Sequence, residues 1–183
     1  FPICYSFVCW FQHRNFLKSN SKDVESSNIV FSKRNTSTTG PQVLRLFSVG
    51  ATDGGDTFYA KICLQEDGIL TLATSNSSSL SFSGLDVNED QWHHLAVVHS
   101  KPNALAGLFQ ASVAYVYLNG KLRHTGRLGY SLSPAGKSLQ VTIGTPLTFS
   151  RVSDLSWKLR SCYLFEEVLT YGFIYFVHTY QSF

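Results

Sequence analysis

Ala114-Tyr115-Val116-Tyr117-Leu118-Asn119-Gly120-Lys121-Leu122 reads as a β-hairpin. Asn-Gly is the commonest pair for a two-residue type I′ turn, because both central positions need positive φ. The flanking runs alternate, so the spacing predicts strands over Ser112–Leu118 and Lys121–Thr125. Upstream, Gln91–Ser100 alternates as well. It sets Trp92, His94, Ala96 and Val98 on one face and His93, Leu95, Val97 and His99 on the other. A second hairpin is expected where Phe58–Gln65 and Ile69–Thr74 flank Glu66-Asp67-Gly68.

The same reading extends to both ends. Cys4–Gln12 is apolar at both parities, which predicts a strand covered on both sides. Asn28–Lys33, Val43–Val49, Leu139–Gly144 and Trp157–Phe165 are further expected strands. Asn35–Pro41 and Ser75–Ser83 read as Ser/Thr-rich loops, and Ala51–Asp56 as a Gly-rich turn. Only the tail, Val168–Tyr180, suits a helix of two or three turns. About ten short strands with at most one helix predict an all-β sandwich or jelly roll in a single domain. Trp92 is expected to anchor its core and Trp157 to cap the far end.

Composition agrees with that class. The 183 residues are 44% apolar and 14% aromatic, with 14 Phe, 9 Tyr and 3 Trp, which argues against disorder and for strands. A net charge of +3 is far from the dense basic stripe of a nucleic-acid binder. The longest apolar stretch, Tyr171–Val177, is too short to span a bilayer. The chain lacks Met and opens in mid-pattern, so it is expected to be a piece of a longer protein.

Cys4 and Cys9 are five apart in one expected strand, so they face opposite ways and cannot bridge each other. Cys63 and Cys162 sit in apolar strand patterns and are expected as buried free thiols. Sequons stand at Asn35 and Asn76, both in loops where such triplets arise by chance, and a cytoplasmic setting is expected.

Calcium needs six to eight oxygen ligands. Neither Asp53 with Asp56 nor Asp86 with Glu89 and Asp90 makes a full set. His93, His94 and His99 tempt a zinc reading. His93 and His99, however, are roughly 20 Å apart along a strand, and zinc ligands must converge within about 2 Å of one ion. Glycoside hydrolysis needs two carboxylates at close separation. Glu166 and Glu167 are adjacent and face opposite ways on a strand. No Gly-x-Ser-x-Gly elbow occurs. No cofactor and no enzymatic activity are expected.

Four motifs in order carry a family resemblance. They are Gln91-Trp92-His93-His94-Leu95-Ala96-Val97-Val98, the Asn119-Gly120 hairpin, Val141-Thr142-Ile143-Gly144-Thr145-Pro146, and Trp157 leading into Tyr163-Leu164-Phe165-Glu166-Glu167-Val168-Leu169. This order resembles the concanavalin A-like (laminin-G-like, pentraxin-like) domain of the large BEACH proteins, the lysosomal-trafficking regulator and neurobeachin relatives. The resemblance implies a jelly-roll sandwich of two antiparallel sheets with one short C-terminal helix. It spans 1–183 as one domain excised from a larger chain, closed by a tail at 168–180.

It also implies a non-catalytic scaffolding module in vesicle and lysosome traffic. Such a module would be cytoplasmic and peripheral to endosomal or lysosomal membranes. Its partners would be other domains of the same large protein and further trafficking proteins. Two patches are candidate contacts. One is the basic arm Lys121, Arg123, His124 and Arg127, with Lys121 and Arg123 expected on one face and able to touch anionic lipid weakly. The bland alternative is a charged edge strand that blocks edge pairing. The other is the aromatic tail of Tyr171, Phe173, Ile174, Tyr175, Phe176 and Tyr180, expected to bury one side and dock the other. Phe173 and Phe176 are its candidate partner residues. A lectin-like, glycan-binding role is the alternative function, since this shape often binds sugar.

Overall fold

The computed structural model describes residues 4–14, 43–51, 57–65, 68–100, 112–130, 136, 138–144 and 156–181. The expected strand Asn28–Lys33, the sequon at Asn35 and the acids Asp53 and Asp56 lie outside them. The strands are β1 Tyr5–Arg14, β2 Val43–Ala51, β3 Phe58–Gln65, β4 Leu70–Ser75 and β5 Ser78–Phe82. Then follow β6 His93–Ser100, β7 Val113–Leu118, β8 Lys121–Arg127, β9 Leu139–Ile143 and β10 Ser156–Phe165, and the helix α1, Tyr171–Tyr180.

The described strands form two five-stranded sheets, ordered β10-β1-β6-β7-β8 and β5-β4-β3-β2-β9, and every strand pair is antiparallel. Tyr5, Phe7, Cys9 and Phe11 of β1, Leu95 and Val97 of β6, and Val116 and Leu118 of β7 face inward. They pack on Leu44, Leu46, Phe47, Val49, Ile62, Leu64, Leu70 and Leu72 of the second sheet. A second apolar layer lies on the outer side of the first sheet. There Val8, Ala96, Val98 and Tyr117 meet Leu169, Ile174 and Val177. That layer explains the double apolar pattern of β1, whose even positions serve the helix.

Two expectations are corrected. Ser75–Ser83 is not a loop but contains the edge strand β5, paired to β4, after a two-residue turn at Asn76-Ser77. Its serines hide a period-two pattern: Leu80 and Phe82 pack against the core while Ser79 and Ser81 face solvent, and the Thr71 and Ser81 hydroxyls bond across the strands at 3.0 Å. Trp92 does not anchor the core; it is 40% exposed. It has the helix-side parity of β6 but lies two residues upstream of His94, where the last turn of α1 sits. The buried indole is Trp10, and Trp157 packs partly buried against the main core, as expected of it.

Candidate interaction surface

Helix α1 creates the surface and is fixed at both ends. Thr170 caps its N-terminus, its hydroxyl accepting from the Phe173 N–H at 3.4 Å. Ser6 of β1 ties the approach: its hydroxyl donates to the Glu167 carbonyl at 2.6 Å and accepts from the Leu169 N–H at 3.0 Å. At the far end the Gln181 N–H donates to the Val177 carbonyl at 3.1 Å, and its side chain meets Ser161 and Tyr163 of β10.

Ile174 and Val177 are the buried helix positions. Around them the helix is aromatic on both flanks. Tyr171 stacks on Tyr117 with ring centroids 6.2 Å apart, while Phe173 meets Phe165 edge-on at 5.8 Å. Phe176 and Tyr180 pair with each other at 4.3 Å, and Tyr163 joins Phe165 at 6.1 Å. Tyr163, Tyr171, Phe173, Tyr175, Phe176 and Tyr180 are between 40% and 68% exposed. No Asp, Glu, Lys or Arg lies on the helix. Expected candidates Phe173 and Phe176 therefore belong to one neutral aromatic surface. Among the described residues no helix is long and apolar enough to cross a membrane.

Beneath the last turn sits a polar cluster. Trp10, His94 and His178 form a triangle with ring centroids 5.2, 5.4 and 5.4 Å apart. Trp10 Nε1, both ring nitrogens of His94 and Nδ1 of His178 have no hydrogen-bond partner among the described residues. Burial pushes His94 down to about 4, helped by His178; burial likewise lowers His178. The Asn119-Gly120 turn closes this end, with φ of 51° and 74°. A Cβ at Gly120 would meet His178 Cδ2 at 2.7 Å, so glycine serves both the turn and the approach of the helix.

The W-H-H and N-G motifs meet here. The His94 N–H donates to Asn119 Oδ1 at 3.0 Å, and the Asn119 N–H donates to the His94 carbonyl at 2.8 Å. With Oδ1 thus engaged, Asn119 Nδ2 faces His93 Nδ1 at 3.4 Å as the donor. His93 Nε2 lies 3.0 Å from the Asn88 N–H and 3.1 Å from the Asn88 carbonyl, so either tautomer of the ring is held at this turn. Asp90 holds the preceding turn at φ 60°, with its carbonyl accepting from Gln12, its N–H bonded to the His13 carbonyl and its carboxylate paired with Arg14.

The basic arm is not one patch. Register shifts between Val116 and Tyr117: Leu122 pairs with Tyr117 and His124 with Val116, which leaves Arg123 unpaired in the ladder. Alternation therefore fails between Lys121 and Arg123. Arg123 reaches Asp86 at 4.0 Å, and His124 stacks on Phe82 at 4.9 Å. Lys121 and Arg127 are exposed at opposite ends of β8.

Among the described residues no three His, Cys, Asp or Glu side chains are arranged to hold a metal ion. His93 serves the turn, His94 faces α1, and His99 Nε2 bonds the Leu128 carbonyl at 3.1 Å. Cys9 and Cys162 are opposite each other across β1 and β10, and all four cysteines are free thiols. Cys63 is buried as expected, while Cys162 is only half-buried. Burial raises Cys9 and Cys63, and carries Cys162 to about 11.

Sequence reasoning missed the roles of Trp10, Asp90 and His178. The helical spacing of His178 from Ile174 was a usable signal; nothing local singled out the partners of Trp10.

Two antiparallel sheets with this topology define a concanavalin A-like jelly roll, and residues 21–150 match the Concanavalin A-like lectin/glucanases superfamily, to which the chain belongs. It is 67% identical over 178 residues, 95% of its length, to the Protein SPIRRIG of Arabidopsis thaliana. It is 62% identical over 151 residues, 80% of its length, to the BEACH domain-containing protein A2 of the same plant. Both are BEACH-family proteins, as the sequence motifs implied, and the chain spans only 5% and 4% of their lengths. Among solved structures, a botulinum neurotoxin serotype D/C binding domain superposes with a TM-score of 0.60 at 13% identity, over 98% of this chain and 37% of that one. Trypanosoma rangeli sialidase does so with a TM-score of 0.60 at 11% identity, over 97% of this chain and 23% of that one. Both likenesses are of fold alone.

Proposed function

We propose that this domain is a non-catalytic scaffolding module of a large vesicle- and lysosome-trafficking protein of the BEACH type. The observation that carries the proposal is α1, a neutral aromatic helix seated on the outer sheet with its far side open. Exposed aromatic surface of that extent marks a site of association. Its partners are other segments of the same long polypeptide, together with further trafficking proteins. The module works on the cytoplasmic side, peripheral to endosomal or lysosomal membranes. Supporting a non-catalytic role, Glu166 and Glu167 are both exposed neighbours, and two of the three other described candidate acids, Asp86 and Asp90, face arginines.

The test is made in a full-length BEACH chain that carries the domain. Alanine at both Phe173 and Phe176 is expected to weaken association between the domain and its flanking segments. Unchanged association with the fold intact refutes the proposal. Lipid contact through Lys121, Arg123 and Arg127 would be worth about 1 kcal/mol per side chain. Co-sedimentation with anionic vesicles that is unaffected by salt would count against it.

A lectin-like role is the second reading. Its supporting observation is Trp92, whose exposed indole can stack on a sugar face. Reproducible micromolar binding on a glycan array, lost in Trp92→Ala, would favour it over scaffolding.

A further inference from the structure

We propose that α1 is also a homotypic contact: two copies of this chain pair helix on helix about a two-fold axis. The inference rests on the reading of α1 as a docking surface and names one occupant for it. Three observations carry it.

The first is area. The five exposed rings of α1, Tyr171, Phe173, Tyr175, Phe176 and Tyr180, each of roughly 200 Å² and about half exposed, offer at most about 500 Å². Two copies bury at most roughly 1,000 Å² in all, the size of a weak, transient contact.

Charge is the second. The helix carries no Asp, Glu, Lys or Arg, so juxtaposing it with itself sets no like charges together. A two-fold contact requires such self-compatibility, because the same patch serves both sides.

The third is shape. The buried line runs through Ile174 and Val177, so Gly172 and Phe176 fall on the opposite, outward face. They are one helical turn apart. A Cβ at Gly172 would meet nothing within 4 Å, so packing within the domain does not require glycine there. With the helices antiparallel about Ile174, Phe176 of each copy seats over Gly172 of the other, and both copies make the contact. A notch and a ring spaced in this way form a self-complementary pair.

Sedimentation velocity on the 183-residue chain tests this. A dimer is expected with a Kd on the order of micromolar, as suits so small an interface. Phe176→Asp is expected to weaken it by at least about tenfold with the circular dichroism unchanged. Gly172→Ala separates dimer contact from folding. Alanine favours the helix and meets nothing in its own domain, so Tm measured at low concentration should not fall. The same methyl fills the notch, so dimerisation should weaken. A monomer at about 100 µM, or a dimer that neither substitution weakens, overturns the inference. If the chain is monomeric yet alanine at Phe173 and Phe176 still loosens the full-length protein, the homotypic contact fails and the scaffolding proposal stands.

Discussion

Acidification from about pH 7 to about pH 4.5 places protons on histidines that the fold keeps neutral. His94 is the strongest case. It lies fully buried between β6 and α1, both ring nitrogens lack partners among the described residues, and the other imidazole it faces is His178. An ordinary histidine titrates at 6.5, and here the value falls to about 4. Below 6.5 the unfolded chain takes up a proton that the folded chain refuses until about 4, so stability falls as pH drops through that window. At 1.36 kcal/mol per unit the loss is about 3 kcal/mol for His94 alone. That is a large share of the roughly 5–15 kcal/mol that holds a domain folded. Burial lowers His13, His93, His99 and His178 as well, and each adds to the loss in the same direction.

Urea unfolding followed by tryptophan fluorescence reads the effect, because Trp10 stacks on His178 at 5.4 Å. His94→Phe keeps the ring and removes the titrating nitrogens. It should be no less stable than the parent near pH 7, where it relieves two unpartnered buried atoms. It should also lose the part of the slope between about pH 6.5 and pH 4 that His94 contributes. An unchanged slope in that variant refutes the assignment of the acid sensitivity to this cluster.

Asn119→Ala removes the acceptor for the His94 N–H and the donor to His93 Nδ1, and should cost about 2 kcal/mol in urea unfolding. Asn119→Asp, which keeps Oδ1, should recover part of that loss. Gly126→Ala drives a Cβ to 2.8 Å from Leu80 Cδ1 and 3.4 Å from Phe82, where β8 meets β5. An overpacking cost of about 1–3 kcal/mol is expected in the same assay. Under native conditions an alkylating reagent should leave Cys9 and Cys63 unmodified over a time that labels denatured chain fully, as read by mass spectrometry, because burial both hides these thiols and suppresses their thiolates.

Apolar runs bounded by turn signals located nine of the ten described strands, and Asn119-Gly120 adopts the positive φ that the turn demands. The strand missed, β5, has serine at three of its five positions, so composition masked the apolar parity of Leu80 and Phe82. Trp92 was misplaced for a different reason. Alternation assigns a residue to a face, but it cannot say how far along that face the covering layer extends, and α1 stops at His94. Local sequence could not reveal the β8 bulge either, because it is a property of the pairing with β7. The aromatic helix was legible as a surface, since Phe173 and Phe176 stand out by type. Its anchoring was not, because Ser6, Trp10 and His94 come from strands more than seventy residues away in sequence.

The apolar pattern of β1 at both parities requires a layer on each side of its sheet. One is the facing sheet; the other is α1, which brings Ile174 and Val177. Those two positions use only one side of a helix that is apolar nearly all round. A sheet that merely needed a cover would be served by an amphipathic helix with charged residues outward. Here that outward side instead presents Phe176 and Tyr180 in contact with each other at 4.3 Å, flanked by Tyr175 and Phe173, with no Asp, Glu, Lys or Arg on the helix itself. The sequence that covers one apolar surface thus creates the next. That exposed aromatic side is the surface on which the proposed contacts of α1 rest.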